Sequence, residues 1–346
     1  MRILIVSDAG TPQVNGVVST LTQTAAWLRR FGHEVQLLTP AEFRTVACPT
    51  YPEIRLVLGA YDGIRRLIRQ FRPHVIHIAT EGPLGLAARR HCRRSGLKFT
   101  TSYHTQFPQY YRARFPVPLP MSYFILRWFH GAAHCCMVST RAVHEELRSR
   151  GFKNLTRWGR GVDTERFRPR EVFLLDFPRP IAAYAGRLSV EKNVAAFLRM
   201  PWSGSKVVIG DGPDRVALQA AHPGAHFLGF RFGDEFANLM ASADVFVFPS
   251  RTDTFGLVLL ESPACGVPVA AYPVTGPIDV IEDGVTGVLD ADLHTASTRA
   301  LLLEPAACRA RALRSSWEAS TRQFENNLVP CNAAAELSLA IAGALG

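Results

Sequence analysis

The sequence predicts an α/β fold with two Rossmann-like domains that face each other across a cleft. Each half of the chain carries its own series of alternating strands and helices, and βαβ order generates a parallel sheet. A length of 346 residues suits two domains better than one core. Residues 167–180 hold three prolines and no clear periodicity, so we place the linker there. We expect an N-terminal domain over 1–170, a C-terminal domain over 171–325, and a final helix over 326–346 that packs back on the first domain.

The first half opens on a short apolar strand, MRILIVS, which a loop with two glycines and a proline follows. Apolar residues at helical spacing then predict a helix over 17–31, and Gly32 ends it. The same patterns predict strands at 33–39, 54–57, 74–78, 99–103 and 136–139, and helices at 63–71, 84–95 and 141–150.

The second half restarts with a strand at 181–185, and a polar or glycine-containing loop follows each of its strands. The further predicted strands lie at 207–209, 226–228, 243–249 and 267–272. Helices are predicted at 234–241, from Leu257 to a stop at Cys265, and in the tail after 297, while the helix between 193 and 210 is expected to be shortened.

Four polar loops of the second half would meet at one edge, because the carboxyl ends of parallel strands lie together. These loops carry Arg187 and Lys192, Asp211-Gly212, Asp253 with Glu261, and Thr275-Gly276. Two cations beside a helix N-terminus suit a diphosphate, and a carboxylate suits sugar hydroxyls. A nucleotide-diphosphate sugar is the simplest ligand with both features. The cations can neutralise a diphosphate leaving group without a metal, and no acidic or His/Cys cluster with metal-ligand spacing lies nearby.

Segment lengths and cysteine usage exclude several protein classes. No run of 18 uncharged apolar residues occurs, so we expect no transmembrane span. The N-terminal apolar run is short and predicts a strand rather than a signal peptide. Seven scattered cysteines without zinc spacing indicate reduced thiols in a cytoplasmic protein.

The net charge of +10 is concentrated in the first half, where residues 1–171 hold 26 Lys and Arg against 11 Asp and Glu. This asymmetry favours an anionic membrane surface, an acidic substrate or nucleic acid, although arginines that only solubilise the domain would give the same pattern. Residues 107–129 combine eight aromatic side chains with three arginines, which is typical of an interfacial segment and also of ordinary core. The lack of a recognisable reader motif argues against nucleic acid.

Several motifs resemble those of the retaining family-4 glycosyltransferases. Five segments look like the nucleotide-sugar half of that family. They are GRLSVEKN at 186–193, GDGP at 210–213, FLG at 227–229, DTFGLVLLE at 253–261 and GVPV at 266–269. Three further segments look like the acceptor half of the family. They are PQVNGVV at 12–18, SYHTQFP at 102–108 and RGVDTERFRP at 160–169. The resemblance implies the GT-B fold and a retaining hexosyltransferase, of the kind that transfers mannose from GDP-mannose or that builds glycolipids.

The resemblance also implies roles for individual residues. Catalytic roles fall to His104, Arg187, Lys192 and Asp253. Donor contacts fall to Gly16, Gly212, Phe255, Gly256, Leu257 and Glu261, the last of them at the nucleotide ribose. Acceptor candidates are Asn15, Glu81, Tyr103 and Arg160. Asp253 departs from the family's usual Glu, and its shorter side chain retracts the carboxylate by about 1.5 Å at most.

Other interpretations of the same residues stay open. His104 also suits an ordinary buried histidine, Asp253 a helix N-cap, and Glu81 a loop carboxylate. For the whole chain we expect a cytoplasmic enzyme, peripheral at the inner face of the membrane, that needs no cofactor and uses a UDP- or GDP-sugar and a lipid or glycan acceptor. The alternatives are a soluble glycosyltransferase of exopolysaccharide or small-glycoside synthesis, a nucleic-acid-binding protein, and a non-catalytic protein that binds sugar nucleotides.

Overall fold

The computed structural model describes residues 1–10, 13, 15–48, 51–106, 118–170 and 176–337, without the side chains of residues 48 and 51–54. The chain forms two compact units, one of Met1–Gly159 with Trp317–Gly346 and one of Arg160–Ser316. The chain therefore leaves the first unit once and returns to it. These limits differ from the boundaries predicted after 170 and 325. The aromatic residues expected at 107–117 lie outside the described residues.

The first unit contains eight described strands before the chain leaves it. They are β1 Arg2–Val6, β2 Glu34–Leu38, β3 Thr45–Cys48, β4 Tyr51–Val57, β5 Val75–Ile78, β6 Thr100–Tyr103, β7 Cys136–Val138 and β8 Leu155–Arg157. Six form a parallel sheet with the order β2-β1-β5-β6-β7-β8, while β3 and β4 form a separate antiparallel pair. The central strands are buried along their length, as expected where helices cover both faces of a parallel sheet.

The helices of this part of the chain are α1 Gly16–Arg30, α2 Ala60–Phe71, α3 Pro83–Arg94, α4 Leu119–His130 and α5 Arg141–Ser149. Helix α1 begins after Asn15, whose side-chain oxygen accepts the amides of Val17 and Val18 at 3.0 Å each. It ends with Arg29 and Arg30, cations that the helix dipole favours at a C-terminus.

The second unit is built on a parallel sheet of six strands. They are β9 Ile181–Ala185, β10 Ser205–Ile209, β11 His226–Gly229, β12 Val245–Phe248, β13 Val269–Ala271 and β14 Gly287–Leu289, in the order β11-β10-β9-β12-β13-β14. The helices are α6 Val194–Arg199, α7 Arg215–Ala221, α8 Gly233–Ala241, α9 Val258–Ala264, α10 Pro277–Val280, α11 Leu293–Ala300 and α12 Pro305–Ala312. Helix α13, Trp317–Asn326, belongs to the first unit.

Each sheet has one point at which the direction of strand addition reverses. In the first unit β1 lies between β2 and β5, and in the second unit β9 lies between β10 and β12. Loops that leave neighbouring strands in opposite directions open a crevice at the carboxyl ends of those strands, which is where open α/β sheets bind ligands. The second crevice therefore lies directly after Ala185 and Phe248.

The two parallel α/β sheets confirm the predicted fold class. The strand predicted at 54–57 does not join the main sheet, because it pairs with β3 as an antiparallel hairpin. The three-residue edge strand β14 was missed, since three residues are too few for a pattern. The shortened helix expected between 193 and 210 is the six-residue α6. Across the part of the chain described above, no helix combines the length and the apolar character that crossing a membrane requires.

Candidate functional site

Glycines let the loops after β9 and β10 pack tightly against each other. Gly210 has a φ of 150°, and a Cβ there would lie 1.9 Å from the carbonyl oxygen of Gly186. A Cβ on Gly212 would lie 2.3 Å from the carbonyl oxygen of Leu188, whose amide donates to the carbonyl of Asp211 at 2.9 Å. A side chain at either glycine would push the loops apart, so the GRLSVEKN and GDGP segments depend on these two positions to share one surface.

Asp253, which we expect to contact the donor sugar, forms an ion pair with Lys192, which we expect to bind the diphosphate. Nζ of Lys192 donates to Oδ1 of Asp253 at 2.5 Å, and the two side chains are only 24 % and 13 % exposed. Oδ2 of Asp253 is buried and has no hydrogen-bond partner among the described residues. Such an unsatisfied oxygen costs about 1–3 kcal/mol, so a ligand hydroxyl that donates to it would be stabilised. The N-cap interpretation of Asp253 is wrong, because α9 begins only at Val258.

Asn193 holds this pair in place, a role that sequence reasoning did not assign to it. Its φ of 53° lies in the left-handed region, where Asn is the most tolerated residue after Gly. Its Nδ2 donates to the carbonyl of Pro249 at 3.0 Å. The side chain therefore ties the loop after β9, which carries Lys192, to the end of β12, which leads to Asp253.

The turn between β12 and α9 offers backbone donors. Among the described residues, the amides of Phe255, Gly256 and Leu257 have no hydrogen-bond acceptor, and all three residues are partly exposed. A φ of 82° at Gly256 makes the turn possible without strain. A Cβ on Gly276 would lie 2.8 Å from the carbonyl oxygen of Asp253, so the loop after β13 supports the turn closely.

Glu261 lies on α9, eight positions after Asp253. Loss of hydration raises the pKa of its carboxyl to about 7, although the charge of Arg166 opposes the rise. Part of the residue still reaches solvent. A pair of ligand hydroxyls that donate to this carboxylate would favour its ionised form.

The remaining donor-site residues of the second unit lie on the same loops. Arg187 is partly exposed, and the hydroxyl of Tyr184 donates to its backbone carbonyl at 2.8 Å. Asp211 accepts from the guanidinium of Arg215 at 2.5 Å and from the amide of Gly212 at 2.8 Å, so this carboxylate shapes its own loop. In the described part of the chain, no group of three or more His, Cys, Asp and Glu side chains is arranged to hold a metal ion.

In the first unit, His104 directly follows β6 and is partly exposed. Its Nε2 lies 2.8 Å from Oγ of Ser102, and its ring meets the edge of Trp158 with centroids 5.6 Å apart. Oγ of Ser102 also lies 3.1 Å from Nε2 of the buried His77. These contacts fix the ring at the carboxyl edge of the sheet, and its exposure distinguishes it from an ordinary core histidine.

The loops after β1 and β5 carry three further predicted site residues, and two of them also support the fold. Asn15 is the N-cap of α1, and Gly16 is the first residue of that helix. Oε1 of Glu81 lies 3.0 Å from Nε2 of the fully buried His130, whose Nδ1 lies 2.9 Å from Oγ1 of Thr101. Glu81 therefore anchors a core histidine and leaves only a small part of its carboxylate to solvent.

Two of the acceptor candidates are buried. Tyr103 is 1 % exposed, because β6 is covered on both faces, and its ring belongs to a cluster with Tyr123 and Val138. Arg160 is also buried, and loss of hydration lowers the pKa of its guanidinium. Both side chains have little exposed surface in this structure, and their roles at the acceptor stay predictions.

Sequence reasoning missed the role of Asp8, which lies two positions after the end of β1. Its carboxylate accepts the hydroxyl of Thr80 at 2.8 Å and the amides of Leu84 and Gly85 at 2.7 and 3.1 Å. Burial raises the pKa of Asp8, although these hydrogen bonds oppose the rise. Asp8 thus caps α3 from a position 76 residues earlier in the chain, a partnership with no local sequence signal.

Two family models match this chain. One, described as Glycosyltransferase Family 4, matches residues 14–166. The other, described as Glycosyl transferases group 1, matches residues 179–302. Together they cover most of the chain and strands of both sheets.

Individual proteins are similar over nearly the same length. A GDP-mannose-dependent alpha-mannosyltransferase of Mycobacterium tuberculosis is 32 % identical over 315 residues, which cover 84 % of this chain and 83 % of the relative. An alpha-monoglucosyldiacylglycerol synthase of Streptococcus pneumoniae is 25 % identical, over 88 % of this chain and 79 % of the relative. Among solved structures, a sucrose-phosphate synthase of Thermosynechococcus elongatus has a TM-score of 0.74 at 20 % identity, covering 94 % of this chain and 97 % of that one, a likeness of fold.

Proposed function

This chain belongs to the family-4 glycosyltransferases, and from that membership we propose that it moves a hexosyl unit, mannosyl or glucosyl, from a nucleotide-diphosphate sugar to an acceptor hydroxyl. The proposal includes retention of configuration at the anomeric carbon and independence from metal ions. GDP-mannose is the first donor to test, because the relative at 32 % identity is named for it.

The unsatisfied Oδ2 of Asp253 carries this proposal. It is a buried acceptor at the second crevice, next to the cation of Lys192 and on the same turn as three amides without acceptors. A sugar hydroxyl fits the carboxylate oxygen, and a diphosphate fits the cations of Lys192 and Arg187. Donor binding would give Lys192 a second anion to contact, which would loosen its present pairing with Asp253.

The proposed transfer breaks the bond between the anomeric carbon and the diphosphate oxygen and forms a bond to the acceptor oxygen on the same face. The acceptor hydroxyl gives its proton to the departing phosphate oxygen. Lys192, Arg187 and the turn amides stabilise the negative charge that develops on the diphosphate, which removes the need for a metal ion. His104 contributes a contact to the donor sugar, and Glu261 holds the ribose.

We propose a membrane lipid or lipid-linked glycan as the acceptor, reached from the cytoplasmic face. The excess of Lys and Arg in residues 1–171 supports this, because cations attract a protein to anionic headgroups. The name of the relative at 25 % identity, a diacylglycerol glycosylating enzyme, points the same way. A soluble acceptor is the alternative, and its activity would be indifferent to vesicles.

A panel of purified UDP- and GDP-sugars tests the proposal, with released nucleoside diphosphate as the signal. We expect turnover with one donor, and a fall of at least 100-fold in Arg187→Ala. Arg299→Ala is the matched control, because Arg299 is an exposed arginine on α11 whose carboxylate partner, Asp290, lies at the surface. Release at the wild-type rate by Arg187→Ala would contradict the assigned diphosphate site, and no release from any donor would contradict the proposed reaction.

A further inference from the structure

The first unit contains a cavity of about 690 Å³ between α3 and the C-terminal end of α4. Its polar lining is cationic and consists of Arg89, Arg90, Arg93, Arg94 and Arg127, with the indole of Trp128 beside them. We call this cavity the arginine pocket. Its volume falls in the range of small-ligand sites, and its lining is of one charge sign.

No carboxylate among the described side chains neutralises the charge of the arginine pocket. Helices α3 and α4 contain no acidic residue, and among the described residues no carboxylate forms an ion pair with the five arginines. Arg89 and Arg93, like Arg90 and Arg94, stand four positions apart on α3, a spacing at which like charges destabilise a helix. An anion in the pocket would remove this repulsion.

Two of the arginines are held in fixed positions. Arg89 is buried, donates to the carbonyls of Phe129 and Trp128 at 3.0 and 2.6 Å, and lies 3.7 Å from the centroid of the Trp128 indole. Arg127 donates to the carbonyl of Arg150 at 2.7 Å. Because a guanidinium has five N–H donors, these bonds orient each group and still leave donors for a phosphate.

An apolar surface adjoins the pocket. Met121, Phe124, Ile125 and Trp128 are each more than half exposed on α4, while Tyr123, Leu126 and Phe129 of the same helix are buried. The exposed four stand at positions i, i+3, i+4 and i+7, so they form one face, which we call the apolar stripe. Trp128 belongs to both the apolar stripe and the arginine pocket. An anion in the pocket would therefore lie next to an apolar surface that contacts the stripe.

We infer that the arginine pocket binds the phosphate of an anionic phospholipid headgroup while the apolar stripe enters the interfacial region of the same membrane. Cations beside an exposed apolar helix face match the boundary between headgroups and acyl chains. A free phosphate would use the pocket but would leave the apolar stripe without a partner, which is why a lipid is favoured. The inference deepens the proposed function, on which it rests for the membrane as the location of the acceptor.

Sedimentation with vesicles tests the inference in the full chain without donor. We expect binding to vesicles of phosphatidylcholine with phosphatidylglycerol and little binding to phosphatidylcholine alone. Arg93→Glu with Arg94→Glu should weaken binding at least tenfold, since each arginine near an anionic surface contributes about fivefold. Arg199→Glu with Arg314→Glu makes the same change of net charge on exposed positions of the second unit and should weaken it less than threefold. Phe124→Ser with Ile125→Ser should weaken binding while leaving the pocket intact.

The outcomes separate this inference from the proposed reaction. Equal loss in the two double arginine variants would overturn the pocket as a site and indicate a general charge effect. Stabilisation of the protein by inorganic phosphate, in the absence of vesicle binding, would overturn the lipid as the occupant. Release of nucleoside diphosphate to water, measured without vesicles, should be unchanged in Arg93→Glu with Arg94→Glu. Vesicle binding with no turnover of any donor would contradict the proposed reaction and leave the pocket supported.

Discussion

Glu261 gives the protein a stability that depends on pH. Burial raises the pKa of its carboxyl from 4.5 to about 7, so between these values the folded chain holds a proton that the unfolded chain releases. The stabilisation from this group is complete below pH 4.5 and is lost as the pH rises to 7. At about 1.4 kcal/mol per pKa unit, the loss is at most about 3.5 kcal/mol, an upper bound because part of the residue reaches solvent.

The substitution Glu261→Gln isolates this effect, because the amide has nearly the same shape and does not ionise. We expect the wild type to lose stability relative to the variant between pH 5 and pH 7, and the variant to be the more stable of the two at pH 8. Urea unfolding followed by circular dichroism at constant ionic strength measures the difference. Glu282→Gln, at a surface carboxylate paired with Arg311, is the control; because it keeps Glu261, it should lose stability over the same pH range as the wild type. Parallel profiles for the wild type and Glu261→Gln would refute the reasoning.

Nucleotide binding provides a second measurement of the same group. If Glu261 accepts the ribose hydroxyls, binding favours its ionised form and expels up to one proton near pH 6.5. Calorimetry of GDP and UDP binding in buffers of different ionisation enthalpy counts that proton. The wild type should release it, and Glu261→Gln should not. Equal release by both proteins would show that Glu261 does not contact the ribose.

Three further predictions concern the donor site and its loops. Asp253→Asn should lower the rate of nucleoside diphosphate release about 100-fold with little change in melting temperature, because it removes a charge-assisted acceptor; a rate within twofold of wild type would count against the role of Asp253. Gly210→Ala should lower stability by more than about 2 kcal/mol in thermal unfolding, since its Cβ would meet a carbonyl oxygen at 1.9 Å, whereas Gly224→Ala, with no atom within 4 Å, should not. Activity should persist in excess EDTA. If EDTA abolished activity and only added Mg²⁺ or Mn²⁺ restored it, that result would contradict a metal-independent reaction.

The parts of the fold that follow from local patterns could be predicted from the sequence. The two βαβ series place Lys192 and Asp253 on loops after β9 and β12, and parallel pairing alone then brings these loops to one edge. The contact between the two side chains is consistent with that placement. The positions of Gly210 and Gly212 in short motifs also carry information, because only a residue without a Cβ allows such close loops.

The remaining features depend on contacts between residues that are distant in sequence. Asp8 acts on α3 from 76 residues away, and no periodicity in either segment records the partnership. Tyr103 and His104 are adjacent, yet one is buried and the other partly exposed, because the strand ends between them. The arginine pocket arises where α3 and α4 pack together, so the two sequence segments show only basic and apolar residues without the cavity.

Because the chain returns to the first unit, that unit cannot complete its fold before the second unit has been made. Phe324 on α13 is fully buried in the first unit, with its ring centroid 4.8 Å from that of His77 and 4.6 Å from that of Trp158. The amide of Cys331 then donates to the carbonyl of His74, the residue before the inner strand β5, at 2.8 Å. Because these residues follow Arg160–Ser316 in the sequence, the first unit completes its core only after the second unit has been translated. A chain that stops before Trp317 would leave the Phe324-facing sides of His77 and Trp158 uncovered, and exposed apolar surface of this kind makes an incompletely folded domain prone to aggregate.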